Sequence, residues 1–395
     1  MTDLVLLSRD GMFLKDGREW ATSDAGRAHS LGWPAPSTLL GALCTASGRA
    51  REAAGNVLTP QDWQSLAAAI TLGPSIALRG PLGAAASGWT HSHRVWSVPA
   101  DALFLADAAG AMQRVLRLDP RPPRQATLGR DEDPAREALW WPHVEDPAKP
   151  ARAPLWWPEE AIVEWLADPV DVRPCNHAYR GLALPRHIET HVGIDPATFA
   201  ARESILFTHD VVESLDSDRC EWAIGCRVSL PGKIPARATL GGDRRLARIT
   251  PAGAGLFGPP PALIASFAAR PPKGLRLVAV TPAAFAAGWR PDGFSPAPDN
   301  TIRGHLPGLD AELILRAAFV PRAAHVSGWD MAKGKPKPTT RLVPPGAVYH
   351  FVRADGQAFP AAMAETLWLV VLGNRTAHGF GCFVPGAWHP QETAA

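Results

Sequence analysis

Apolar positions open the chain without alternation: residues 3–8, Asp-Leu-Val-Leu-Leu-Ser, read as a strand covered on both faces. Ser37 then stands where a helix N-cap is wanted, and Leu39, Leu40 and Leu43 share one helical face behind it. A second helix is predicted over 60–70, and strands over 94–98, 102–106 and 114–118. Between 119 and 158 the periodicity is lost. Nine prolines fall there, with the doublets Trp140-Trp141 and Trp156-Trp157, each preceded by Leu and followed by Pro. That composition predicts an extended connector whose indoles dock on a domain or a partner. A helix follows over 159–166.

Residues 187–212 predict two strands around the turn Asp195-Pro196-Ala197-Thr198, and 221–230 a further strand. The rhythm then repeats. A hairpin is expected over 236–250 around Gly241-Gly242, a helix over 260–269, and strands over 275–280, 312–318 and 347–352. A helix over 361–372, whose apolar end also suits a strand, and a closing strand over 379–385 complete the chain. The order fits an α+β protein of two tandem ferredoxin-like (RRM-like, βαββαβ) domains with insertions. The first domain is expected over 1–118 plus 187–230, a Pro/Trp-rich insertion over 119–186, and the second domain over 231–395.

Composition narrows the class. Hydrophobic residues at 46% and charged residues at 20% exclude a disordered chain. The longest strongly apolar run, 367–372, is too short to span a bilayer, and Arg9 and Asp10 break any leader-like opening. Five scattered cysteines (Cys44, Cys175, Cys220, Cys226, Cys382) suit a reduced interior, so a soluble cytoplasmic protein with no membrane partner is expected. The net charge of +2 hides an asymmetry: residues 1–224 sum to −8, residues 225–350 to +11 and the remainder to −1. A basic block of that size suits a polyanion such as RNA.

Three segments in or beside that block carry candidate chemistry. Leu240-Gly241-Gly242-Asp243-Arg244-Arg245, with Arg237 and Arg248 nearby, sets glycines beside guanidiniums. Gly373-Asn-Arg-Thr-Ala-His-Gly-Phe-Gly381 does the same with Arg375, His378, Gly379, Phe380 and Gly381. Without a Cβ, glycine lets backbone N–H groups approach a phosphate; the other reading of both segments is an ordinary turn. The third is the extended loop 333–341, with Lys333, Lys335, Lys337 and Arg341, behind Trp329 as a stacking platform. The histidines offer pairs at 91/93 on a strand and 187/191 on a helix, and Cys175/His177 and Cys220/Cys226 offer thiols. None has a zinc spacing, Asp3, Asp10, Asp16 and Asp24 form no metal constellation, and no nucleotide-hydrolysis or other cofactor motif is present.

Further segments join these in a fixed order. They are Phe13-Leu-Lys-Asp-Gly-Arg-Glu-Trp20, Pro36-Ser-Thr-Leu-Leu-Gly-Ala-Leu43, His191-Val-Gly-Ile-Asp195 with Thr198 and Leu206-Phe207, Gly334-Lys-Pro-Lys337 and Val343-Pro-Pro-Gly-Ala-Val-Tyr349. From about residue 4 to about 385, with 119–180 poorly matched, the set resembles the third subunits of type III-B CRISPR (Cmr) effector complexes, in the RAMP superfamily. The resemblance implies two ferredoxin-like RAMP domains, no catalysis and no cofactor. It implies a subunit that caps the 5′ handle of the crRNA, pairs with the large polymerase/cyclase subunit, abuts the first backbone RAMP subunit and meets target RNA only indirectly. Carried over, Gly241, Gly242, Arg244, Arg245, Gly379 and Gly381 would line the crRNA, and the 191–207 hairpin would lie by the handle. The 333–341 loop would face RNA or a neighbouring subunit. Cys44 stands where the family tends to have Arg. The alternatives are a RAMP endoribonuclease using His29 or His191 as general acid or base, and an assembly factor that binds protein only.

Overall fold

The computed structural model describes residues 1–16, 26–84, 88–122, 139–167, 172–330 and 334–391. Residues 17–20 of the first motif, Asp24, much of the acidic stretch at 131–171 and Lys333 therefore lie outside the described residues, and so does the side chain of Trp329.

Thr2–Ser8 is buried along nearly its whole length because both of its faces are covered. Leu4 and Leu6 pack under the helix Pro36–Ala53, while Val5 and Leu7 point into a central core. That helix buries Leu39, Ala42, Leu43 and Ala46, an i, i+3, i+4, i+7 stripe. It starts one residue before the expected cap: Pro36 sits in its first turn and Ala35 is the cap, with no side-chain bond. The second helix, Pro60–Ala69, is held by a capping box between Thr59 and Asp62.

Two seven-stranded antiparallel sheets organise the molecule. The first runs Arg237–Thr239, Leu246–Pro251, Thr2–Ser8, Cys220–Ser229, Thr71–Pro81, Arg94–Ser97, Trp156–Pro158. The second runs Phe294–Pro296, Ile302–Gly304, Leu313–Phe319, Val348–Arg353, Gly274–Ala279, Cys382–Trp388, Val370–Val371. Four adjacent strands of each sheet, 246–251, 2–8, 220–229 and 71–81 in the first and 382–388, 274–279, 348–353 and 313–319 in the second, stand in the same spatial order, 4-1-3-2 when numbered along the chain. The class is α+β, mostly strand with few helices.

Several boundaries differ from expectation. Strands 237–239 and 246–251 complete the first sheet, so the change of sheet falls after 251 and not at 230. The hairpin Arg186–Ile194 and Ala201–Val212 leaves that sheet and joins Arg27–Ala28 in a small sheet of its own. Thr71–Pro81 is a strand hidden in the sequence by Gly73-Pro74 and Gly80. The helix expected at 361–372 is one turn, Met363–Thr366, followed by the short strand Val370–Val371. His91 and His93 occupy a 3-10 turn, and His187 and His191 a strand.

The largest departure concerns the insertion. Trp156–Pro158 is an edge strand of the first sheet, and the helix Glu159–Ala167 packs on Pro261–Ala269 and on Cys382–Trp388 of the second. Trp157 and Trp165 are fully buried and Trp140 meets Trp388 edge-on, so these indoles dock on their own protein; Trp141 is the exposed one.

Two buried guanidiniums bind this layer. Arg276 donates to Asp101 Oδ2 at 2.6 Å, to the Trp165 carbonyl at 2.6 Å and to the Ala387 carbonyl at 3.0 Å. Trp165 Nε1 donates to the other Asp101 oxygen at 2.9 Å. Arg94 pairs with Glu159, which also accepts from Trp96 Nε1 at 2.6 Å. Burial opposes ionisation of Asp101, but the Arg276 and Arg117 charges outweigh it and hold its pKa below the usual value. His350, opposite Arg276 in the sheet, is pushed down to about 3 by burial and stays neutral. The five cysteines are free, and no described helix is long and apolar enough to cross a membrane.

Replacing one partner strands a buried charge, which typically costs about 3–5 kcal/mol. Asp101→Asn is expected to lose stability of that order in urea unfolding followed by tryptophan fluorescence. A loss below about 1 kcal/mol would contradict this account of the core.

Candidate nucleic-acid interface

Three places hold the residues singled out by the sequence. In the first, the bend at 240–245 leans on the segment around Phe13. The Gly242 N–H donates to the Phe13 carbonyl at 2.7 Å. A Cβ on Gly241 would stand 2.4 Å from that oxygen, and one on Gly242 2.5 Å from the Phe13 ring. These glycines therefore permit a backbone-to-backbone approach. Asp243 and Arg244 continue the bend with φ of 54° and 51°.

Arg245 pairs with Glu189 on the neighbouring hairpin, while Arg244 is exposed. The hydrogen bond from Arg245 leads the interactions that hold the Glu189 pKa down to about 2. Opposite Glu189 in register is His209, nearly fully buried, with His191 two residues along from Glu189. Phe13 stacks on His209 at 4.3 Å and Phe207 on His191 at 5.2 Å. The sequence picked His191 and Arg245 but missed Glu189 and His209; a Glu-x-His on one strand, with His at hairpin register on the other, was the available signal.

The second place joins two segments far apart in the chain. The loop around Lys335–Pro336 and Thr340–Leu342 reaches the bend 373–381. Arg375 lies over the buried Phe380 ring at 5.0 Å and donates to Thr340 Oγ1 at 3.5 Å. Burial, then the charges of Arg375 and Lys337, push the His378 pKa below its ordinary value, which brings all three groups into one electrostatic neighbourhood. Lys335, Lys337, Arg341, Arg375 and His378 are exposed. Among the described residues Lys337, Arg341 and Arg375 pair with no carboxylate.

The glycines of this bend again serve the backbone. The Gly379 N–H donates to Thr376 and that of Gly381 to Pro282, at 3.1 and 2.9 Å. A Cβ on Gly381, at φ 74°, would stand 2.0 Å from the Leu372 carbonyl. Nearby, the Leu72 N–H donates to the Ala377 carbonyl at 2.8 Å, so the bend clasps the first sheet to the second. The N–H groups of Gly242, Gly379 and Gly381 are thus all donated within the protein and are not free to cradle a ligand.

Arg237 belongs to a third place. It stands opposite Arg248 across the first sheet's edge, and both line a groove with Arg9.

The family described as CRISPR-associated protein (Cas_Cmr3) matches residues 4–388. No curated protein matches the chain. Among solved structures it is similar to a chain of the type III-B Cmr-beta complex bound to cognate target RNA and AMPPnP, state 1. That match has 12% identity and a TM-score of 0.43, covering 88% of this chain and 86% of that one. A chain of the Cmr-beta complex bound to cognate target RNA is similar at 13% identity and a TM-score of 0.39, covering 89% and 86%.

If Gly381 serves the clasp, Gly381→Ala lowers the thermal midpoint, by about 1 °C for each kcal/mol lost in a chain this size. An unchanged midpoint in differential scanning calorimetry, with lost RNA binding, would favour the phosphate-grip reading instead.

Proposed function

The chain belongs to the Cas_Cmr3 family of CRISPR-associated proteins, and from that premise we propose that it is the non-catalytic crRNA-binding subunit of a type III-B effector. In this reading it grips the 5′ handle of the crRNA and bridges the large polymerase/cyclase subunit to the adjacent backbone RAMP subunit. Target RNA is met through the guide. The shared 4-1-3-2 antiparallel order of the two sheets supports two tandem ferredoxin-like RAMP units, each lacking part of the full complement of helices.

The observation that carries the reading is the approach of the 335–342 loop to the 373–381 bend, where Arg375 donates to Thr340 Oγ1 at 3.5 Å and Lys335, Lys337, Arg341 and His378 are likewise exposed. Cations from two distant segments form one exposed patch without acidic partners for Lys337, Arg341 and Arg375 among the described residues. Like charges held together repel one another, and a phosphate backbone relieves that repulsion. Arg244 adds an exposed guanidinium, whereas Arg245 acts through its pairing with Glu189.

One observation favours the endoribonuclease as a second reading. His29 Nδ1 lies 3.2 Å from Asp210 Oδ2, and Arg27 donates to the other oxygen at 2.6 Å. A histidine oriented by a carboxylate, with a guanidinium beside it, is a plausible acid–base group for phosphodiester cleavage.

Lys337→Ala with Arg375→Ala is expected to weaken handle-RNA binding about equally across sequences. In fluorescence anisotropy the salt slope should fall by about 1.4, or about 0.7 for each of two phosphate contacts on a single strand. An unchanged slope would sink the patch. Incubation of the purified chain with repeat RNA separates the two readings: no specific cleavage is expected, and cleavage abolished by His29→Ala would establish the nuclease.

A further inference from the structure

We propose that Glu189, His191 and His209 form a binding site for a divalent transition metal, zinc being the best fit. The site is independent of the cationic patch and of the crRNA reading.

The first argument is geometric. The hairpin register sets Glu189 directly opposite His209, with His191 on the same face two residues on. His209 Nε2 lies 3.1 Å from His191 Nε2 and 3.1 Å from Glu189 Oε2, and His191 Nε2 lies 3.3 Å from Glu189 Oε2. Donors bound to zinc at ~2.0–2.1 Å stand ~3.3 Å apart along a tetrahedral edge. An ion about 1 Å out of the plane of these three atoms would bond all of them at that length.

The second argument is proton accounting. His209 Nε2 faces Glu189 Oε2, His191 Nε2 and, at 3.3 Å, Asp243 Oδ2. That nitrogen carries at most one hydrogen, which cannot serve three acceptors well. With both Nε2 atoms unprotonated, the two imidazoles and the carboxylate would turn three lone pairs toward one point, an arrangement that a cation satisfies. His209 is 2% exposed, so bulk water does little to relieve the arrangement.

The surroundings suit a second shell. Phe13 and Phe207 stack on the two imidazoles and fix their planes. His187 contacts Glu189 Oε1 at 3.2 Å, and Arg245 donates to Oε2. A carboxylate oxygen has two lone pairs, so the guanidinium can keep one while a metal takes the other. Asp243, half exposed, stands beside the remaining position and can hold a water there. Two imidazoles and a carboxylate are donors of the zinc class rather than of magnesium or calcium. Binding would fasten the hairpin 186–212 to its neighbours in addition to the Arg245–Glu189 pair.

The untagged full chain, loaded with zinc and dialysed against zinc-free buffer, tests this by elemental analysis. About one zinc per chain is expected, falling at least tenfold in His191→Ala, whose side chain is partly exposed, and unchanged in His378→Ala. Retention of full zinc by His191→Ala, or less than a tenth of a zinc per wild-type chain, overturns the site. Cobalt(II) titration of the wild-type chain needs no variant: intense tetrahedral visible absorption supports the proposal, and its absence overturns it.

Discussion

The buried pair of Arg276 and Asp101 is the contact on which the two halves depend. Each sheet leaves an apolar face that must be covered, and the layer between them is supplied by a proline- and tryptophan-rich segment with weak periodicity of its own. Non-polar packing alone would let such a layer slide. A guanidinium that reaches Asp101, Trp165 and Ala387 at once tolerates little displacement, because any shift strands a desolvated charge. Arg94 with Glu159 repeats the device on the first sheet. The insertion is therefore the keystone of the fold and not an appendage.

With the sheets fixed, the clasp between Leu72 and the 373–381 bend sets where Arg375 and His378 stand. Glycine matters there because carbonyls crowd the backbone, and the exposed cations around it inherit their positions. The bend at 240–245 follows the same logic against Phe13. In both, glycine permits close approach of chain to chain, and the neighbouring basic side chains, where exposed, carry positive charge at the surface.

The hairpin 186–212 has a different economy. The side chains toward its tip are largely exposed, among them Ile188, Val192, Ile194 and Leu206, and hydrophobic burial holds only its base, at Val211 and Val212. Polar contacts through Glu189, His209 and Arg245 do most of the anchoring, and a metal would strengthen them. Such an element suits a surface that must meet a large partner while keeping a fixed orientation.

Local periodicity was enough to determine the opening strand, the first helix and the two strands of the 186–212 hairpin, because those signals lie within a few residues of one another. The family rested instead on the resemblance carried by short motifs in a fixed order along the chain, and the basic block on a segment-by-segment count of charge. Glycine and proline interrupt the strand 71–81 and hide it from local reading, and which surface the tryptophans dock on is set by partners such as Trp388, which lies far along the chain. Only the tertiary structure decided that 237–251 completes the first sheet, that Arg375 reaches Thr340 of the 335–342 loop, that Arg245 is taken by Glu189 and that His209 faces His191. Each of these is a contact across a sheet or between distant segments, fixed by strand register and the buried charges, and a reading of neighbouring residues carries no information about it.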